Sequence, residues 1–496
     1  MIQDNLELPP DTIDAPNGRA HPLPIERLEP VSGWGGAAAG MSYVYRPSTV
    51  AQLREIFNQA RAYGRTVGLR GGGNSYGDAA MNDEDILVDL RRMDRILEWL
   101  PDEGLITVEP GVTLQRVWEH TIEDGWWLPV ATGTQKITIA GGAAMNVHGK
   151  NAWKAGTFGQ HITEFDLMLP SGEIITCSPE SNSDVFHAAI GGFGMLGAFT
   201  RLTMRLKRIY SGLMAVEALA KPNLHETMAW MEEHLDDSDY LVGWLDAFSK
   251  GKALGRSELH RANYLPPGAD PAPAQTLRVE NQQIPPEIMG FFPRLSLWRF
   301  QKPFWNNWGM RLVNTAKYWA ARKNNGKKYR QPHAHFHFLL DSLDWRKPFG
   351  RGGLIQYQPF LPHDKAETAF RLILELCQNR GLPNYLTVLK RHKPDPFLLS
   401  YSLDGWSLAM DFKITEKNRE RVARLAREMD EIVLAYGGRF YFAKDATLRP
   451  EVAQAYLGEE TIAQFRALKQ RCDPDNMLQT NLWRRVFGWQ GGKVTG

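Results

Sequence analysis

The chain has 496 residues, enough for about three domains of ordinary size. Hydrophobic residues make up 43% and charged residues 23%, the usage of a globular protein, which excludes a wholly disordered, collagenous or coiled-coil chain. Lys plus Arg number 58 against 56 Asp plus Glu, so no global basic excess points to nucleic acid.

The first 40 residues are rich in Pro and Gly and read as an extended arm. They carry no basic residue before Arg19 and no apolar core, so no secretory signal is expected. Ser48 or Thr49 can cap a helix whose apolar face is Val50, Leu53, Ile56, Phe57 and Ala60, ended by Gly64. Strands are expected at 66–70, 85–90 and 105–109, and a helix at 113–123. Strands at 163–169 and 173–177 flank Pro170-Ser171-Gly172, a hairpin signal. Residues 201–207 alternate apolar and polar, as a half-buried strand does. Residues 208–264 are mixed and give no clear periodicity. Six prolines make 265–287 a loop or linker. Order returns with strands at 354–358, 384–390, 406–413 and 439–443, helices at 365–381 and 416–436, and two short helices after that. No apolar run reaches the roughly 18 residues a membrane-spanning helix needs. The best candidate, His187–Thr200, is short and carries four glycines. The expected location is therefore cytoplasmic or peripheral to a membrane. Cys177, Cys377 and Cys472 are too few and too scattered for a disulfide framework or a zinc site, and no metal is expected.

Three glycine-rich loops stand out. Arg70-Gly71-Gly72-Gly73-Asn74-Ser75-Tyr76-Gly77-Asp78 follows a strand. Three consecutive glycines let successive amides turn inward as an anion-binding nest, and a diphosphate is the natural guest. A plain surface turn is the competing reading, and no P-loop lysine follows. The second run, Gly133-Thr134 to Ala144, leads into His148-Gly149-Lys150-Asn151. Its small residues allow a flat ligand, or merely tight packing. Residues 192–197 match G-x-G-x-x-G, but a helix precedes them and a strand follows, the reverse of a Rossmann loop.

In this order the motifs resemble the FAD enzymes of the vanillyl-alcohol-oxidase type, the p-cresol-methylhydroxylase (PCMH) flavin fold. The resemblance runs from about residue 43 to 488. It is carried by RGGGNSYGD, GTQKITIAGG, HGKNAWKAGTFG, GLIQYQPFLP, YLTVLK, GWSLAMDF, GGRFYFAKD and a closing Asp473-Pro474. Within the family the chain is most similar to the oxidases of polyprenyl-phosphate-linked ribose. The resemblance implies an α+β fold: an arm over 1–40, a two-part PCMH-type FAD-binding domain over 41–208, a substrate domain with an antiparallel sheet over 209–445, and a segment over 446–496 returning to the FAD domain. It implies that Gly71, Gly72, Gly73, Asn74, Ser75, Tyr76 and Gly77 hold the FAD diphosphate. Gly133, Thr138, Gly141, Phe199 and Tyr441 would line the cofactor, with His148 and Lys150 near flavin and substrate. Asn74 stands where many relatives carry a flavin-linking histidine, and no cysteine occurs between 131 and 150, so non-covalent FAD is implied.

Oxidising a secondary alcohol needs an oriented hydroxyl and a proton acceptor beside the cofactor. Lys444 matches the family's active-site lysine and becomes a base if burial lowers its pKa. Gln356 and Gln358 share a strand face and suit a hydroxyl-rich ligand, unless that face is simply solvated. Lys390 would suit a phosphate, and Gln358 would join His148 and Lys150 beside the reacting carbon. His148 could equally be a hydrogen-bonded core histidine. Asp411 could simply pair with a lysine. Ala409 stands where actinobacterial relatives carry a cysteine.

Residues 289–330 hold ten Lys or Arg, ten aromatics and no acid. That composition fits a segment lying on anionic lipid, or a cap whose aromatics are buried. RNA binding is a third reading, against which the near-neutral remainder argues. The resemblance implies an FAD-dependent oxidoreductase acting on a sugar hydroxyl of a lipid-linked substrate, with a partner reductase completing an epimerisation. Alditol or aldonolactone oxidation, sterol side-chain reduction, and a non-catalytic flavin protein bound to membranes are the alternatives.

Overall fold

The computed structural model describes residues 23–285, 287–288, 292–342 and 344–488. Three sheets organise them. The first runs Leu28–Ser32, Ala39–Tyr45, Ile86–Asp89, Val67–Arg70. Its first pair is antiparallel and the others parallel. Helix Val50–Ala62 packs on it through Leu53, Ile56, Phe57 and Ala60, all buried. Thr49 caps that helix by accepting from the Gln52 amide at 3.2 Å. The second sheet is antiparallel, in the order Ile96–Leu100, Leu105–Val108, Ala198–Arg205, Ile162–Met168, Ile174–Cys177. Its last two strands are the hairpin marked by Pro170-Ser171-Gly172, with Gly172 at φ +87°.

The third sheet is large and antiparallel throughout. It runs Lys327–Pro332, Leu213–Lys221, Ser257–Tyr264, Tyr240–Leu245, Leu386–His392, Gly405–Lys413. Two short strands, Leu354–Tyr357 and Pro359–Pro362, lie in tandem along the far edge of Gly405–Lys413. The tandem breaks at Gln358. Helices Ala366–Asn379 and Arg419–Ala435 pack against one another and on this sheet through Phe370, Ile373, Leu425, Met429 and Val433. The three cysteines are buried and unpaired with one another.

Several expectations are revised. Within the described part of the N-terminal arm, Leu28–Ser32 and the start of Ala39–Tyr45 are paired strands, and residues 1–22 lie outside the described residues. The unclear stretch 208–264 supplies three strands of the third sheet and the helix Leu224–Glu233. Its strands pair with partners up to about 145 residues away, which local periodicity cannot reveal. The strand expected over 439–443 stops at Phe440, because the Ala443 carbonyl turns to accept from the Tyr76 amide at 2.8 Å. Three helices, not two, close the described chain: Pro450–Leu457, Glu459–Cys472 and Asn481–Val486. Within the basic aromatic segment, whose residues 289–291 are not described, Asn307–Lys323 is a 17-residue helix.

Candidate active site

A cleft with about 1230 Å³ of open volume, mouth included, lies between the glycine loops and the third sheet. The first loop follows the Val67–Arg70 strand and closes on the second. A Cβ on Gly71 would stand 2.2 Å from Thr138 Oγ1, and one on Gly72 would stand 2.5 Å from the Lys136 carbonyl oxygen. Only glycine allows that approach, and Gly73 also has φ +64°. Asn74 Nδ2 donates to the Lys136 carbonyl at 3.2 Å, a second tie between the loops. Thr138 caps the short helix Ile139–Ala144. Asp341 holds the second loop from outside: it accepts from Thr134 Oγ1 at 2.8 Å and from the Gln135 amide at 2.7 Å.

The opposite wall is the third sheet and the turn after it. His148, Lys390, Tyr441 and Lys444 line it. Lys444 Nζ sits 3.8 Å from the centre of the Tyr76 ring, an ammonium over an aromatic face. Burial, and then repulsion from Lys390, lower the Lys444 pKa to about 7, against an opposing pull from Asp411. Burial lowers Lys390 to about 8. Burial raises Asp411 to about 7, although Gln356 Nε2 donates to it at 2.5 Å and Lys444 attracts its charge.

A buried polar chain stands behind this wall. Gln358 Nε2 lies 3.1 Å from His148 Nε2 and 3.0 Å from Ser407 Oγ, and Ser407 Oγ lies 2.8 Å from His392 Nε2. Burial and the charge of Lys390 hold His148 well below the usual histidine range, so its imidazole is neutral. Its Nδ1 faces the Gly149 carbonyl and its Nε2 accepts from Gln358, which assigns the proton to Nδ1.

Of the residues singled out by sequence, Gly71, Gly72, Gly73, Asn74, Ser75, Tyr76, Gly133, Thr138, Gly141, His148, Phe199, Lys390, Tyr441 and Lys444 line the cleft. Four do not. Gly77 packs beneath the next segment, where a Cβ would meet the Asp445 carbonyl oxygen at 1.8 Å. Lys150 points away: its Nζ donates to the Phe336 and His337 carbonyls and lies 4.5 Å from the Phe336 ring. Gln356 and Gln358 are buried rather than solvated, and line a smaller adjoining cavity with Tyr441 and Lys444. Sequence reasoning missed Trp34, which lines the mouth, and His392, Ser407 and Asp341, which support it. Trp34 had a signal, a tryptophan inside Gly33-Trp34-Gly35-Gly36; the other three had none.

The lining fits FAD. It offers a glycine-backbone cradle for a diphosphate, apolar flat surfaces at Ala140, Ala144 and Phe199, and three cations, Arg70, Lys390 and Lys444. Among the described residues no carboxylate lines it.

Comparison with known proteins agrees. Residues 41–178 match the family described as "FAD binding domain". The chain is 28% identical over 465 residues to decaprenylphosphoryl-beta-D-ribose oxidase of Mycolicibacterium smegmatis, covering 92% of this chain and 96% of that protein. It is 22% identical over 469 residues to L-gulono-1,4-lactone dehydrogenase of Mycobacterium tuberculosis, covering 92% and 99%. L-gulonolactone oxidase of Mus musculus matches at 28% over 196 residues, 40% of this chain and 43% of that one.

Proposed function

We propose that this chain, an FAD-dependent oxidoreductase of the PCMH type, oxidises a secondary hydroxyl of a sugar carried on a polyprenyl phosphate, a pentose in the first instance. The observation that carries the reading is the cleft wall: Lys444, its pKa lowered to about 7, beside a second lysine, and, among the described residues, no carboxylate to repel a phosphate. When bound, FAD supplies the hydride acceptor. The chain supplies the rest. Lys444, neutral above pH 7, takes the hydroxyl proton at Nζ. Lys390 pairs with the substrate phosphate. Neutral His148, with Nδ1 on the Gly149 carbonyl and Nε2 on Gln358, packs against the substrate as an uncharged, fixed part of the wall. Lys150, with its Nζ turned to backbone carbonyls, supports the His337 turn rather than the reacting carbon. The 2-keto product would then pass to a partner reductase that completes an epimerisation.

A second reading is oxidation of an aldonolactone, favoured by the similarity that spans 92% of the chain to L-gulono-1,4-lactone dehydrogenase. Anaerobic bleaching of the bound flavin separates the two. Polyprenylphosphoryl pentose should bleach it and free aldonolactones should not. Bleaching by aldonolactone alone would replace the first reading with the second.

A further inference from the structure

An amphipathic helix normally presents one apolar stripe to the core. Helix Asn307–Lys323 presents two. Met310, Asn314, Tyr318 and Ala321 are buried where the helix packs on strands Leu213–Lys221 and Ser257–Tyr264. At about 100° per residue, Trp308, Leu312 and Trp319 fall within an arc of roughly 40° on a different side. They are 73%, 50% and 54% exposed. Arg311 and Arg322 flank the stripe on one side and Lys323 on the other, and the Arg322 guanidinium lies 5.3 Å from the Trp319 ring. The turn before the helix adds exposed Phe304. Among the described residues, Lys317 is paired with Glu258 at 2.9 Å, and no ion pair ties Arg311, Arg322, Lys323 or Lys302 to a carboxylate.

We propose that this second face docks on an anionic lipid bilayer. Tryptophans with exposed rings sit at headgroup depth, and cations flanking them meet anionic headgroups. A second copy of the chain is a poor occupant, because a self-paired face would bring like charges together. No described helix is long and apolar enough to cross a membrane, so the contact is interfacial. The buried side of the same helix is tied to the cleft. Trp305 and Met310 share one apolar cluster with Tyr76, and Trp34 packs against it. Tyr76 and Trp34 line the cleft. The inference goes beyond the proposed substrate and stands without it, since binding is measured with no turnover.

The test is co-sedimentation of the holoenzyme with vesicles of equal parts phosphatidylglycerol and phosphatidylcholine, against pure phosphatidylcholine, at low and high salt. Binding should require phosphatidylglycerol and weaken with salt. The double variant Trp308→Ser/Trp319→Ser, and separately Arg311→Gln/Arg322→Gln/Lys323→Gln, should each lower it by about tenfold or more. Flavin absorbance and melting temperature should stay as in the parent, because these side chains face outward. Equal, negligible pelleting on both vesicles would overturn the proposal, as would variants that bind like the parent. A shift from dimer to monomer in the tryptophan variant, without loss of vesicle binding, would assign the face to self-association instead.

Discussion

In the proposed reaction, Lys444 is the residue on which the chemistry turns. With its pKa near 7, the rate of flavin reduction should rise as pH climbs through about 7 and then level off, as the amine becomes able to accept a proton. Lys444→Ala should keep FAD but slow reduction by about 10²–10⁴-fold in stopped-flow absorbance. The same lysine has a stability signature. Its folded pKa lies below the ordinary value of 10.5, so the unfolded chain binds more protons between about pH 7 and 10 and stability rises with pH across that window. Lys444→Met should therefore raise the melting temperature more at about pH 6.5 than at about pH 10. An equal gain at both would mean the lysine is not held near neutrality. Asn74 bears on how the flavin is held. An amide cannot bond covalently to the flavin, so acid precipitation should leave all the yellow colour in the supernatant, and colour in the pellet would point to another attachment.

Between elements, Arg485 is the chief fastener. On helix Asn481–Val486, its Nη2 meets Asp78 at 2.7 Å and Asp445 at 2.8 Å, and its Nη1 meets the Leu448 carbonyl at 2.6 Å. It thereby joins the end of the glycine loop to the turn that carries Lys444. Arg485→Met should cost about 3 kcal/mol, because it strands two largely covered carboxylates, and should weaken FAD binding as well. A loss under about 1 kcal/mol in chemical denaturation would mark it as a solvated pair. None of this was legible in the sequence, because Asp78, Asp445 and Arg485 are separated by up to 407 residues. What was legible is local. Helix Val50–Ala62 announced itself by its stripe and Thr49 cap, and the 162–177 hairpin by its Pro-Ser-Gly turn. The tight closure of the glycine loop was legible because close backbone approach leaves a compositional trace. Lys150 was misjudged for the opposite reason: its position in the chain says nothing of where four methylenes point. Gln356 and Gln358 were expected on one strand face; the strand Leu354–Tyr357 ends before Gln358, and the burial of both depends on Gly405–Lys413 beside them and on Asp411 and Ser407 as partners.

For the molecule as a whole, the first sheet is finished by the end of the chain. The Val67 amide donates to the Met477 carbonyl at 2.8 Å, and the Gln479 amide donates to the Val67 carbonyl at 2.9 Å. Leu478 between them is fully buried in the core beneath helix Val50–Ala62. Asp473, of the closing Asp-Pro pair, shapes this return by accepting from the Met477 and Leu478 amides at 2.9 and 2.7 Å. This arrangement has a consequence for biosynthesis. The strand that leads into the glycine cradle emerges from the ribosome early, yet its last backbone partners come about 410 residues later. At about 5–20 residues per second, that is a wait of at least roughly 20 seconds. During that wait the edge at Val67 is uncovered and the strand that leads into the glycine loop is unsupported on that side, so FAD capture is expected after translation rather than during it. Nascent chains stalled before Met477 should bind no flavin, whereas chains released after Gly488 should.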